Sequence, residues 1–244
     1  MRVPTPIALL VLALLSVALA MPVGVLAASP AIVTIAQGVD PTTLDPMNHA
    51  ETPAGNLARN MFDTLLERDG NLVLQPALAA ELPKLVAPTT WEFNLRPGVK
   101  FHNGEPVDAE AVKFSLERLV DPKLKLRGAT PFAPLGHVEI VDPLTVRIHT
   151  KAPWPILDSL VSATGAAILP PRYYREKELT HVARNPVGSG PFKFVRWVKD
   201  DRIELEANEG YWRGAPRVKR LVWKPIPDDA VRWPRCRTAR WTWR

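Results

Sequence analysis

Residues 89–122 read TTWEFNLRPGVKFHNGEPVDAEAVKFSLERLVDP, and a change of period inside this stretch decides the fold class. Trp91, Phe93 and Leu95 alternate with Glu92, Asn94 and Arg96, the two-residue repeat of a half-buried strand. Pro97-Gly98 predicts a turn, Val99, Lys100 and Phe101 resume the alternation, and Asn103-Gly104 predicts a second turn. Asp108 then stands where an N-cap belongs. Behind it Ala111, Val112, Ser115, Leu116 and Leu119 recur at helical spacing until Asp121-Pro122 stops the helix. Strand and helix this close together argue against a helical bundle or a pure β-sandwich.

The flanking sequence has the same character. Residues 32–36 (IVTIA) form a short apolar run suited to a buried strand. From Ala54 the apolar residues Leu57, Ala58, Met61, Phe62, Leu65 and Leu66 follow helical spacing, with Thr52 as the expected cap, Pro53 in the first turn and Asp69-Gly70 as the expected end. Residues 71–82 suggest a brief strand and a helical turn. Hairpins are expected around Asp142-Pro143 and around residues 199–201, with a last strand in RVKRLVWKPIP. Uneven interleaving of strands and helices predicts a mixed α/β or α+β fold.

The chain has 244 residues, is 46% apolar and carries a formal net charge of +6. A basic chain invites a nucleic-acid reading, but the charge is local. Five arginines lie in residues 231–244, which hold no acid; without them the net charge is +1, and without Arg2 it is 0. The N-terminus MRVPTPIALLVLALLSVALAMPVGVLAASP has one positive charge, an apolar run and small residues at Ala18, Ala20, Val25 and Ala27. This is the layout of a secretory signal over residues 1–28, cleaved after Ala20 or after Ala27/Ala28; an uncleaved membrane anchor is the alternative. No cysteine follows the apolar run, so a lipid-attached N-terminus is not expected. Cys236 is the single cysteine, so the body has no disulfide to form in an oxidising compartment.

Catalytic and metal chemistry find little support. His49, His102, His137, His149 and His181 lack paired ligand spacing. Ser189 lies between glycines, but Pro191 and a strand follow where a nucleophile elbow or a phosphate loop needs a helix. The acids Asp200 and Asp201 fall in a hairpin turn. No enzyme, no metal and no cofactor is expected. Trp91, Trp197 and Trp212 have strand contexts that favour core packing over a pocket role.

Taken together, VTIAQGVDPTTLDP, MFDTLLERDG, WEFNLRPGVKFHNGEPVDAEAVKFSLERL, NPVGSGPFKFVRW and ANEGYWRGAPRVKRLVWKPIPD resemble the extracytoplasmic solute-binding proteins, family 5, of peptide, nickel and related ABC importers. The similarity runs from about residue 33 to 229, with a shorter connection before the Trp91 strand. The resemblance implies a periplasmic-binding-protein-like receptor, periplasmic or secreted. It would close around a small solute, a peptide above all, and hand it to a membrane permease, with no nucleic-acid partner and no stable membrane insertion once the leader is cleaved. It also implies that the loop after the LDP element lines the cleft. Here that loop runs over residues 47–53, so His49, Ala50, Glu51 and Thr52 are the expected ligand contacts, with Glu51 able to meet a ligand ammonium.

Relatives are about twice as long, so the expectation is an incomplete first lobe over residues 29–230, with weak or no solute affinity and a tendency to aggregate. Residues 231–244 are expected to be an out-of-frame tail. With one base inserted after the Arg232 codon, a G/C-rich back-translation can read V-R-V-A-A-L-Q-N-G-E-V-D-L-A, which matches the family's continuation. Coding sequence for a further lobe downstream in another frame would support this, and unrelated sequence would sink it. The alternative functions are a non-transport sensor or chaperone-like module on the same fold and, less favoured, an anionic-surface binder acting through the Arg/Trp tail.

Overall fold

The computed structural model describes residues 31–232. β1 (Ile32–Gln37) pairs in parallel with β10 (Arg220–Pro225), placing Ile32 opposite Arg220. β10 pairs antiparallel with β9 (Arg202–Ala207), and β9 with β8 (Phe192–Val198), giving the order β1-β10-β9-β8. A second four-stranded sheet, wholly antiparallel, has the order β4-β5-β7-β6: β4 (Lys84–Ala87), β5 (Thr90–Asn94), β7 (Thr145–Thr150) and β6 (Leu135–Asp142). A small hairpin joins β2 (Leu66–Arg68) to β3 (Leu74–Pro76). The fold is mixed α/β, as the residues predict.

Two helices of ten or more residues lie among the described residues: α1 (Thr52–Met61) and α2 (Ala109–Val120). Asp108 caps α2, its Oδ1 accepting from Ala111 N at 2.9 Å. The expected inner face, Ala111, Val112, Ser115, Leu116 and Leu119, is fully buried, each large side chain contributing about 1.5–3 kcal/mol by leaving water. That face packs on β6. One core cluster runs from Leu44 through Leu57, Phe93, Leu116 and Ile148 to Trp223. Both predicted hairpins form, with Asp200 at φ 62 in the second. No described helix is long and apolar enough to cross a membrane.

Three local expectations are corrected. Thr52 does not cap α1; Glu51, in extended conformation, is the N-cap, and Thr52 is the first helical residue. α1 ends at Met61 and not at Asp69-Gly70. A crossing segment explains the early stop: Gly190 N donates to Met61 O at 2.9 Å, and a Cβ on Gly188 would sit 2.1 Å from that same oxygen. Two glycines thus let the chain pass directly over the helix end, and Phe62 leaves it in extended form. Asp69 instead organises the β2-β3 turn, its Oδ1 accepting from Asn71 N and Val73 N. Residues 77–80 form no helical turn; Ala79 bridges to Leu95.

The leader and residues 233–244 lie outside the described residues. Val231 and Arg232 close a short helical turn in which Arg232 N donates to Asp228 O at 3.0 Å.

Candidate functional site

The LDP element is fixed first. Thr43 Oγ1 accepts from Asp45 N, and Asp45 Oδ1 from Met47 N, both at 3.0 Å. Asp45 Oδ2 takes Arg118 Nη2 of α2 at 2.7 Å, with both side chains buried. The Arg118 guanidinium also lies 5.2 Å from the Tyr174 ring centroid, a cation–π contact that uses its flat face. Gly128 N donates to Met47 O at 3.0 Å, and a Cβ on Gly128 would meet that oxygen at 2.8 Å. The chain therefore enters the 49–52 loop from a rigid base.

The four expected contact residues then divide. Ala50 and Thr52 are exposed, while His49 and Glu51 are half-buried. Glu51 Oε1 accepts from Thr42 N at 2.6 Å and Thr42 Oγ1 at 2.9 Å, which holds the carboxylate across the loop mouth. His49 packs beside Gly55, its Cε1 3.3 Å from where a Cβ would stand, and both ring nitrogens are shielded from solvent. Burial lowers its pKa against opposing pulls from Glu51 and Asp45.

From Gly55 the surface continues along α1 to Arg59, one turn further on the same face. Thr164 lies on the opposite bank, its Oγ1 4.0 Å from the Gly55 Cβ position. Beyond them opens a cavity of about 180 Å³ lined by Arg59, Asp63, Glu67, Arg68, Thr164 and Tyr211, among others. Asp63 is its structural centre. Its carboxylate accepts from Ser189 Oγ and Tyr211 Oη, each at 2.9 Å, and from Trp212 Nε1 at 3.2 Å. Burial raises its pKa, and these three donors oppose the shift. Ser189 is thus a buried donor to a carboxylate.

Trp212 packs between Arg96 and Arg213 at 5.1 and 4.4 Å from its ring centroid, while Trp197 donates to Asp40 Oδ2 at 2.9 Å. Both pack against the core, as does Trp91. His137 and His149, cross-strand partners in the β6-β7 hairpin, stack at 4.4 Å. Among the described residues no group of three His, Cys, Asp or Glu is arranged to hold a metal.

The sequence reading named the 49–52 loop and did not name Arg59, Arg68 or Thr164, which line the neighbouring cavity. Arg59 reads as the polar face of a helix, and Thr164 joins it only through tertiary packing across a hundred residues.

Residues 73–238 match the family model of bacterial extracellular solute-binding proteins, family 5 Middle. The glutathione-binding protein GsiB of Salmonella paratyphi A is 30% identical over 212 residues, covering 85% of this chain and 41% of the relative. Two solved structures have similar folds. MoaA in complex with mannopinic acid, from A. tumefacien R10, has a TM-score of 0.79 at 28% identity, covering 86% of this chain and 44% of that one. DppA from Helicobacter pylori in complex with the peptide STSA has a TM-score of 0.76 at 28% identity, covering 85% and 45%. The chain therefore spans less than half the length of the proteins it matches here.

Proposed function

The chain belongs to the bacterial extracellular solute-binding proteins of family 5, and from that premise we propose that the protein captures a small solute outside the cytoplasmic membrane and delivers it to the permease of an ABC importer. An oligopeptide, a dipeptide or a related compound fits the reading, which assigns the chain no catalysis. The observation that carries it is the 49–52 loop. A rigid base presents exposed Ala50 and Thr52 and, between them, a carboxylate pinned at Glu51. Such a wall offers one acid and two exposed side chains to a solute. The named ligands of the relatives, glutathione and a peptide, support a peptide-like solute. Delivery follows if a second wall closes over the solute and makes contacts that only the closed state has.

Titration of the ¹⁵N-labelled chain with tri-alanine amide, which has an ammonium but no carboxylate, tests the wall directly. Shifts should concentrate in residues 49–55 with a dissociation constant of about 1 mM, near 4 kcal/mol. Glu51→Gln should weaken that binding several-fold. Absence of a saturable shift in the loop at tens of millimolar peptide would overturn the reading.

A further inference from the structure

Two arginines line the cavity beside α1 without an ion pair to either of its two acids. Glu67 is paired with Arg213 at 2.6 Å, and Asp63 is saturated by Ser189, Tyr211 and Trp212. Arg59, exposed in the last turn of α1, has no acid within ion-pair distance among the described residues. Arg68 spends two donors on neutral oxygens, Leu72 O at 2.6 Å and Ser159 Oγ at 2.5 Å. Those two bonds orient its guanidinium without neutralising it, and a guanidinium has five N–H donors. Thr164, from the far bank, adds a hydroxyl with no partner among the described residues.

We propose that this cavity is an anion subsite, in which Arg59 and Arg68 grip a carboxylate of the solute and Thr164 donates a third hydrogen bond. The inference rests on the solute-binding reading and narrows it to carboxylate-bearing solutes. Size sets the same limit. A whole-ligand pocket occupies about 300–1,000 Å³, whereas this cavity measures about 180 Å³ and accommodates one short acidic arm. The body of the solute would lie along the exposed face of α1 toward the 49–52 loop. Guanidinium suits the task because its planar fork meets a carboxylate with two parallel bonds.

The experiment compares glutarate with glutaramide, its uncharged analogue, by chemical-shift titration of the ¹⁵N-labelled chain, with inorganic phosphate as a third probe. Glutarate should shift Arg59, Arg68 and Thr164 saturably, and glutaramide should bind at least about tenfold more weakly. Arg59→Gln and Arg68→Gln should each cost glutarate about tenfold while leaving the tri-alanine amide response of the 49–55 segment intact. Phosphate binding lost in the same variants would support a general oxyanion site, and phosphate binding that survives them would show that the two arginines are not the anion's holders. Equal binding of glutarate and glutaramide, or glutarate binding indifferent to both substitutions, would overturn the subsite. Failure of tri-alanine amide with glutarate binding preserved would instead strike the solute-binding reading, so the two ideas fail separately.

Discussion

Asp45 and Asp63 bracket α1, and the chain buries the two carboxylates in opposite ways. Asp45 receives a full counter-charge from Arg118, with side-chain exposures of 1% and 5%. Asp63 receives no buried cation, only the neutral donors of Ser189, Tyr211 and Trp212. The first arrangement needs its charge; the second tolerates its loss. A buried ion pair is expensive to break because the surviving partner keeps an uncompensated charge. A carboxylate held by neutral donors is penalised by its own desolvation, and this is why the pKa of Asp63 is raised. The first end of the helix is therefore locked by electrostatics and the second by hydrogen-bond count.

Substitution to the isosteric amide separates the two most widely. Asp45→Asn strands Arg118 and should destabilise the fold by about 3–5 kcal/mol in urea unfolding, with much of the loss restored when Arg118→Met is added. A cost below 1 kcal/mol would mean that the pair is not the lock described.

The second test uses pH and sits beside the Asp63 end. His102 Nε2 lies 2.9 Å from Gly190 O, and burial depresses its pKa to about 4, against the pull of that bond. The unfolded imidazole takes up a proton near pH 6.5 and the folded one only near pH 4. Stability from this group is complete above pH 6.5 and falls through that window as acid is added, by about 3 kcal/mol in all. His102→Gln should flatten the stability profile between those pH values, and an unchanged slope would remove His102 as its source.

The smallest effect should come from Asp63→Asn. The amide oxygen can still accept from Ser189 and Trp212, Tyr211 can turn its hydroxyl to accept from the amide nitrogen, and the desolvated charge disappears. We expect a loss of under about 1 kcal/mol by the same urea assay. A cost matching that of Asp45→Asn would erase the distinction between the two ends.

These two ends also mark how far the sequence could be read. α2 was legible because its cap, inner face and stop are all local to residues 108–122. Both long hairpins announced themselves by alternation and turn residues. The end of α1 was not legible: its apolar spacing continues past Met61, but Gly188 and Gly190, far along the chain, lay backbone across the helix terminus. The parallel partnership of β1 and β10 was hidden for the same reason. At the site, the 49–52 loop came from family resemblance and not from periodicity. Arg59 and Arg68 carried no signal of their own, because an unpaired guanidinium is recognised only when neighbouring acids are seen to be occupied.

The pairing of Ile32 with Arg220 has a consequence in time. A ribosome adding about 5–20 residues per second releases β10 roughly ten to forty seconds after β1. Throughout that interval the first strand has no partner for its parallel edge, and the sheet built on β8, β9 and β10 cannot close. The strand that opens the fold is thus also its clock.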